Sequence, residues 1–250
     1  MLYEGDCLDI MPTLADKSID MILCDLPYGT TACKWDTVIP FEPLWEQYKR
    51  LIKDNGAIVL TASQPFTSAL VMSNIKWFKY EWIWEKSRSG SPITAKYMPL
   101  RLHENILVFC NGTTKPYNPQ MTKGVAYSRN LDHMGKENNH YYGIKEVHVV
   151  NEGVRFPTTV QKVKQNWSKQ QQIHPTQKPV ALFEYLIRTY TNEGDTVLDN
   201  CAGSGTTGVA CIHTNRKYIL IEKDSAYCEI IRNRIENTGP IFNNAQRGIR

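Results

Sequence analysis

No stretch of this chain approaches the roughly 20 consecutive apolar residues that a membrane helix needs, and its opening residues lack the blocks of a signal peptide. Both absences predict a soluble cytoplasmic protein. Its seven cysteines are an odd number and none forms a Cys-x-x-Cys pair, which argues against a disulfide framework and a structural zinc site. A reducing compartment and no metal are expected. The one glycine-rich turn, around Gly203-Ser204-Gly205, lacks the third glycine of the full dinucleotide fingerprint. No Gly-Lys-Ser/Thr follows it, so a nucleoside triphosphate would lack its usual lysine.

What is present starts with size. At 250 residues and 42% hydrophobic content, the chain can bury one well-covered core and carry a large insertion. Directly behind the apolar run 19–24 stands Asp25-Leu26-Pro27-Tyr28. An apolar run bounded by Pro and Gly reads as a buried strand, which places Asp25 at the carboxyl edge of a sheet, where open α/β folds bind ligands. The Asp25 carboxylate can accept one N–H of a planar amino group, and the Leu26 carbonyl, held extended by Pro27, can accept the other. Tyr28 offers a flat face for stacking. Together these groups suit amino-group chemistry on a nucleobase, although the same four letters can arise at an ordinary strand-to-turn junction.

Residues 196–199 read as a short buried strand, 200–208 as a run of small residues, and 209–213 as a helix. Two glycines one residue apart let the backbone turn tightly against a ligand, and the amides at the helix start present donors. The next strand, 217–221, ends at Glu222, about 20 residues on, where a carboxylate grips ribose hydroxyls in such folds. The predicted ligand carries a ribose and need not carry phosphate.

On these residues the chain resembles the beta arrangement of S-adenosylmethionine-dependent DNA amino-methyltransferases, with the catalytic tetrapeptide near the N-terminus and the cofactor loop near the C-terminus. The resemblance covers nearly the whole chain. It implies that Asp25, Leu26, Pro27 and Tyr28 are catalytic, a leading Asp being more typical of adenine-N6 than of cytosine-N4 enzymes. It implies that Asp199, Cys201, Ala202, Gly203, Ser204, Gly205 and Glu222 bind the cofactor, with Cys201 standing where the family often has Phe. His174-Pro175-Thr176-Gln177-Lys178-Pro179 is similar to the segment that holds the methionine end of the cofactor, through Thr176 and Lys178. Gly5-Asp6 is similar to the element that contacts its adenine. Each assignment has a plainer rival: Thr176 and Pro179 also suit a helix N-terminus, Lys178 a solvated charge, and Asp6 a helix cap.

The charge is unevenly placed. Residues 111–172 hold nine Lys and Arg against four Asp and Glu, a surplus of five, so the rest of the chain carries −1 of the total +4. This interval is rich in Asn, Gln and Tyr, the composition of a surface that meets phosphates and base edges; a solvated loop region has it too. In the resembled family it holds the target-recognition region. Lys34-Trp35-Asp36, just past Tyr28, suggests a loop closing over the target base.

The expected fold is α/β: a Rossmann-like, mostly parallel, seven-stranded sheet, circularly permuted, with strands near 2–3, 19–24, 56–60, 80–84, 105–110, 196–198 and 217–221. Helical patterns at 41–53, 66–74, 180–190 and 226–237 separate several of them. Trp77, Trp82 and Trp84 read chiefly as core. The expected organisation is an N-terminal catalytic part (1–110), a target-recognition insert (111–172), a C-terminal catalytic part (173–238) and a tail (239–250).

The resemblance implies a site-specific enzyme of bacterial, phage or prophage origin, with double-stranded DNA as substrate, and leaves a homodimer open. Its reaction would be one in-line displacement of a methyl group onto adenine N6 after base flipping. Cytosine N4 is the first alternative, and an RNA or protein amide methyltransferase the next. A non-enzymatic DNA-binding module would leave Asp25 to Tyr28 without a purpose.

Overall fold

The computed structural model describes residues 1–31, 33, 36–89, 92–130, 148–165 and 177–239. Thr176, Lys34, Trp35 and nearly all of the 239–250 tail therefore lie outside the described residues. The chain divides into two compact units, Met1–Asn118 with Thr159–Arg250, and Pro119–Thr158.

The larger unit is built on a sheet of β1 (Leu2–Glu4), β2 (Ile19–Asp25), β3 (Ile52–Ala62), β4 (Phe78–Glu85), β5 (His103–Phe109) and, further along the chain, the short Val160–Lys162, Thr196–Asp199 and Lys217–Glu222. The smaller unit holds two antiparallel pairs, β6 (Thr122–Lys123) with β9 (Val154–Arg155), and β7 (Tyr127–Asn130) with β8 (His148–Asn151). In it Arg155 and Arg129 lie 4.9 and 5.3 Å from the Tyr127 ring centroid. With Val160–Lys162 as β10, Thr196–Asp199 as β11 and Lys217–Glu222 as β12, the large sheet runs β1-β12-β11-β2-β3-β5-β4-β10. Only β5 is antiparallel to its neighbours.

The seven expected strands form, and β10 adds an eighth, parallel to β4 with Val160 opposite Ile83. It left no apolar period because it is a three-residue edge strand exposed at both ends. The helix expected at 41–53 stops at Leu51: the β-branched Ile52 takes extended angles (φ −70°, ψ 135°) and opens β3 without a linker.

The central strands are apolar on both faces because helices cover both. Successive side chains point to opposite sides, so Ile22 and Cys24, Ile58 and Leu60, and Leu107 and Phe109 enter one core with Leu44, Tyr48 and Leu70. Met21 and Leu23, Val59, and Ile106 and Val108 enter the other, with Leu182, Phe183, Leu186 and Ile187. The first core is closed by α2 (Phe41–Leu51) and α3 (Phe66–Ser73), behind the short α1 (Cys7–Ile10); the second by α4 (Val180–Tyr190) and α5 (Thr206–His213). The last helix, α6 (Ser225–Glu236), buries Ile231 against Ala202 and Leu220. Trp82 and Trp84 are buried, their indole N–H groups donating to Tyr190 Oη (2.7 Å) and to the Val163 carbonyl (2.9 Å).

Candidate active site

β2 ends at Asp25 directly opposite Thr61 of β3, so register alone sets a hydroxyl beside the carboxylate. Thr61 Oγ1 donates to Asp25 Oδ1. The Tyr28 hydroxyl donates to the same oxygen at 2.7 Å and lies 3.0 Å from Thr61 Oγ1. On the other carboxylate oxygen, Lys178 Nζ donates to Oδ2 at 2.6 Å. The Tyr28 ring is half-buried and stacks on Phe66, centroids 5.2 Å apart at 25°; the Lys178 ammonium is 5.6 Å from its centroid. Burial, then the Asp25 and Glu104 charges, push the Tyr28 phenol well above its usual range.

Lys178 is 6% exposed and has a second partner, Glu104 Oε2 at 3.3 Å; Glu104 in turn holds Lys86. Burial alone would lower the lysine's pKa, but Asp25 and Glu104 outweigh it and keep the ammonium above its ordinary value. Burial would likewise raise the Glu104 carboxyl, and Lys178 with Lys86 hold it below. Two carboxylates and two ammonium groups thus form an alternating chain leading away from Asp25. Lys178, expected at the cofactor, stands here against Asp25.

The loop after Tyr28 closes on Asp36, which is 8% exposed. Its Oδ1 accepts from Gly29 N (2.8 Å) and its Oδ2 from Thr30 N (2.9 Å) and Thr31 N (2.7 Å). Burial would raise this carboxyl, but the donors of residues 29–31 hold it below its usual value.

The glycine turn connects β11 to α5. Asp199 is 3% exposed and points into the turn, where Oδ1 accepts from Cys201 N at 3.1 Å and Oδ2 accepts from Thr207 Oγ1. Gly203 N donates to Glu222 Oε2 at 2.7 Å, and Ala202 N to the Ile221 carbonyl at 2.9 Å. Arg234 of α6 clamps the far side, Nη1 donating to the Ser204 carbonyl at 2.9 Å and lying 3.1 Å from Ser204 Oγ. Gly205 caps α5 at φ +77°. Cys24 and Cys7 beside it, together with burial, push the Cys201 thiol well above its usual value, so it stays protonated where it lines the cavity. Asp6 caps α1, accepting from Leu8 N at 3.0 Å and from Lys223 Nζ at 3.0 Å.

Burial raises the Asp199 carboxyl to about 6, against the pull of its Thr207 and Cys201 donors. A folded-state value above the unfolded 3.8 means a stabilising contribution that is complete below about pH 4 and lost as pH rises through about 6. Asp199→Asn removes that dependence. In calorimetry, the parent's melting temperature minus the variant's should decline between those pH values; a flat difference would show that the carboxyl does not titrate abnormally.

A cavity of about 790 Å³ joins the Asp25 end of the site to the glycine turn, within the roughly 300–1,000 Å³ of small-molecule sites. Asp25 to Tyr28, Asp36, Lys178 and Glu104 line it, as do Asp6, Asp199, Cys201 to Ser204 and Glu222. Gly205 does not line it. Thr61, Ser63, Lys86, Arg101, Glu104 and Arg234 carry no motif in the sequence; an isolated glutamate opening the apolar run 105–110 was the one visible sign of Glu104.

A mostly parallel sheet with a glycine turn after β11, a carboxylate ending β12 and the Asp25 to Tyr28 tetrapeptide opening at the end of β2 defines an α/β enzyme of the methyltransferase type. The chain belongs to the N6/N4 DNA methylase family, whose model matches residues 19–233, and is a DNA methyltransferase of that family. Relatives include the Type II methyltransferase M2.MboI of Moraxella bovis, 28% identical over 97% of this chain and 90% of the relative. Another is M.HpaI of Haemophilus parainfluenzae, 28% identical over 94% of this chain and 74% of the relative. The fold is shared with M1.HpyAVI in complex with SAM (24% identity, TM-score 0.63, covering 94% of this chain and 98% of that one). It is shared also with the cytosine-N4-specific PvuII DNA methyltransferase (18% identity, TM-score 0.63, 95% and 93%).

Proposed function

We propose that the protein transfers a methyl group from S-adenosylmethionine to the exocyclic N6 of adenine in double-stranded DNA, at a defined site, after flipping the base out of the stack. The observation that carries this reading is Asp25: it ends β2 in the same cavity as the glycine turn and Glu222, so an amino group and a nucleoside cofactor can meet there.

The residues fit that cofactor. A Cβ built on Gly203 would meet nothing within 4 Å, so the turn's backbone is open to a ligand. Glu222 accepts from Gly203 N on Oε2 and Asp224 N on Oε1 and lines the cavity, where its carboxylate can also meet ribose hydroxyls. Asp6 lines the same end of the cavity. When bound, S-adenosylmethionine supplies an electrophilic methyl group on a sulfonium.

The chain's own part is to prepare the amine. The nitrogen lone pair of adenine N6 is delocalised into the ring and attacks poorly; acceptance of its two N–H groups by Asp25 and the Leu26 carbonyl favours a more tetrahedral nitrogen. Positioning and fixed dipoles provide most of the rate. Asp25 Oδ1 already accepts from Thr61 and Tyr28, while Oδ2 accepts from Lys178 alone, so Oδ2 keeps capacity for an amine N–H beside the Lys178 ammonium. Tyr28, backed by Phe66, supplies the stacking face that offsets the few kcal/mol lost on flipping.

The test is mass spectrometry of nucleosides from DNA of a methylation-deficient host expressing the protein. N6-methyladenine is the expected product. N4-methylcytosine, the product named for the PvuII enzyme that shares this fold, would keep the mechanism and reverse the base, and neither would overturn the proposal.

A further inference from the structure

Between β4 and β5, residues 86–89 leave the carboxyl edge of the sheet, the edge that carries Asp25, and residues 92–102 return to it. The ends of this segment are pinned: Lys86 N donates to the Leu102 carbonyl at 2.8 Å, Lys86 holds Glu104, and Arg101 donates to Ser63 Oγ and to the Gln64 carbonyl. Lys86 and Arg101 also line the cavity. Away from this base the segment folds into a turn, with Tyr97 N and Met98 N both donating to the Thr94 carbonyl at 2.9 and 3.1 Å.

Its composition is one-sided. Four cations, Lys86, Arg88, Lys96 and Arg101, occur with no acid between Glu85 and Glu104. Among them the large apolar side chains stand in water: Ile93 is 86% exposed, Tyr97 85% and Met98 58%, with Leu100 and Leu102 also exposed. Single exposed apolar residues are ordinary, but five within ten positions beside a reactive cavity, in a segment bearing cations alone, suit a polyanion that also offers flat apolar surfaces. Duplex DNA meets both demands: phosphates for the cations and base faces for the apolar tip.

Resting on the proposed base-flipping reaction, we infer that residues 92–102 form a wedge that enters the duplex beside the target, with Ile93 and Tyr97 filling the place that the flipped base vacates. Apolar side chains inserted between base steps unstack them and hold the distortion. The wedge would thus lower the free energy of the extruded state, while Asp25 and Tyr28 act on the base once it is out. Lys96, exposed on the same turn, would meet a phosphate flanking it.

The test compares two duplexes carrying a site mapped from DNA that the parent has methylated in cells. One is fully paired; the other has an abasic position opposite the target base, so that extrusion breaks no pair. The variant is Ile93→Gly/Tyr97→Ala, whose positions lie outside the cavity. On the paired duplex its kcat/KM should fall by about tenfold or more, while on the abasic duplex it should stay within about threefold of the parent. Equal losses on both duplexes, or none on either, would overturn the wedge. Unchanged kinetics with a shift in sedimentation would assign the face to a second copy of the chain and overturn it too. If DNA from cells expressing the parent yields no methylated site to map, the activity is overturned and the wedge with it.

Discussion

Asp25→Ala should cut methyl transfer to DNA by about a thousandfold or more while S-adenosylmethionine binding stays near the parent value. The two effects separate because the carboxylate's partners are Thr61, Tyr28 and Lys178, whereas the glycine turn is held by Asp199, Glu222 and Arg234. Removing Asp25 deletes the side-chain acceptor for the target amine and leaves only the Leu26 carbonyl, too little to reshape the nitrogen. The fold should survive, since Lys178 keeps Glu104 as a partner. Asp25→Asn guards against a purely structural loss: it keeps one acceptor oxygen in place, so it should fall between parent and Ala variant. Transfer of a radiolabelled methyl group, with calorimetry of cofactor binding, reads both quantities. Equal transfer by parent and Ala variant would remove Asp25 from the reaction.

Gly205→Val is the second large effect, acting on the other substrate. At φ +77° the residue occupies the left-handed region, which costs a β-branched side chain about 1–3 kcal/mol. Its Cβ would also come within 3.1 and 3.2 Å of Ile231 Cγ1 and Cγ2. Ile231 is fully buried against Ala202 and Leu220 and cannot withdraw, so the turn must move, carrying Ser204 and Gly203 with it. Affinity for S-adenosylmethionine should fall by roughly ten- to a hundredfold with activity following, while binding to DNA persists. Gly194→Val is the matched control: φ is +84° with nothing within 4 Å of a built Cβ, and Gly194 does not line the cavity. It should lower the melting temperature without touching cofactor affinity. Parallel losses in the two variants would mean that the turn's shape is not what the cofactor requires.

Much of this scaffold was legible because buried strands leave continuous apolar runs. The runs ending in Cys24, Leu60 and Cys110 are apolar apart from Asp20 and Asn105, since alternate residues serve different cores. Helix α4 was equally plain, its buried Leu182, Phe183, Leu186, Ile187 and Tyr190 recurring at helical spacing. Strand β10 left no such trace because an exposed edge needs no apolar residues. The motif residues were visible where neighbours in sequence act together, as Asp25 to Tyr28 do. Lys178 was visible as a motif residue, but its pairing with Asp25 was not: the two lie 153 positions apart, and no local pattern encodes such a pairing. Thr61, Glu104 and Arg234 were hidden for the same reason, each being an ordinary polar residue until the sheet order and α6 bring it to the site.

The sheet order has a consequence for synthesis of the chain. β2, with Asp25 at its tip, pairs with β3 on one side and with β11 on the other, and Thr196 follows Asp25 by 171 positions. At about 5–20 residues per second on the ribosome, one flank of that apolar strand waits on the order of 10–30 s for its neighbour. An unpaired strand edge is a template for wrong pairing. The nascent chain therefore passes through a period in which its central strand is open to other chains, and slow translation of the interval before β11, or a premature stop within it, would favour insoluble product over active enzyme.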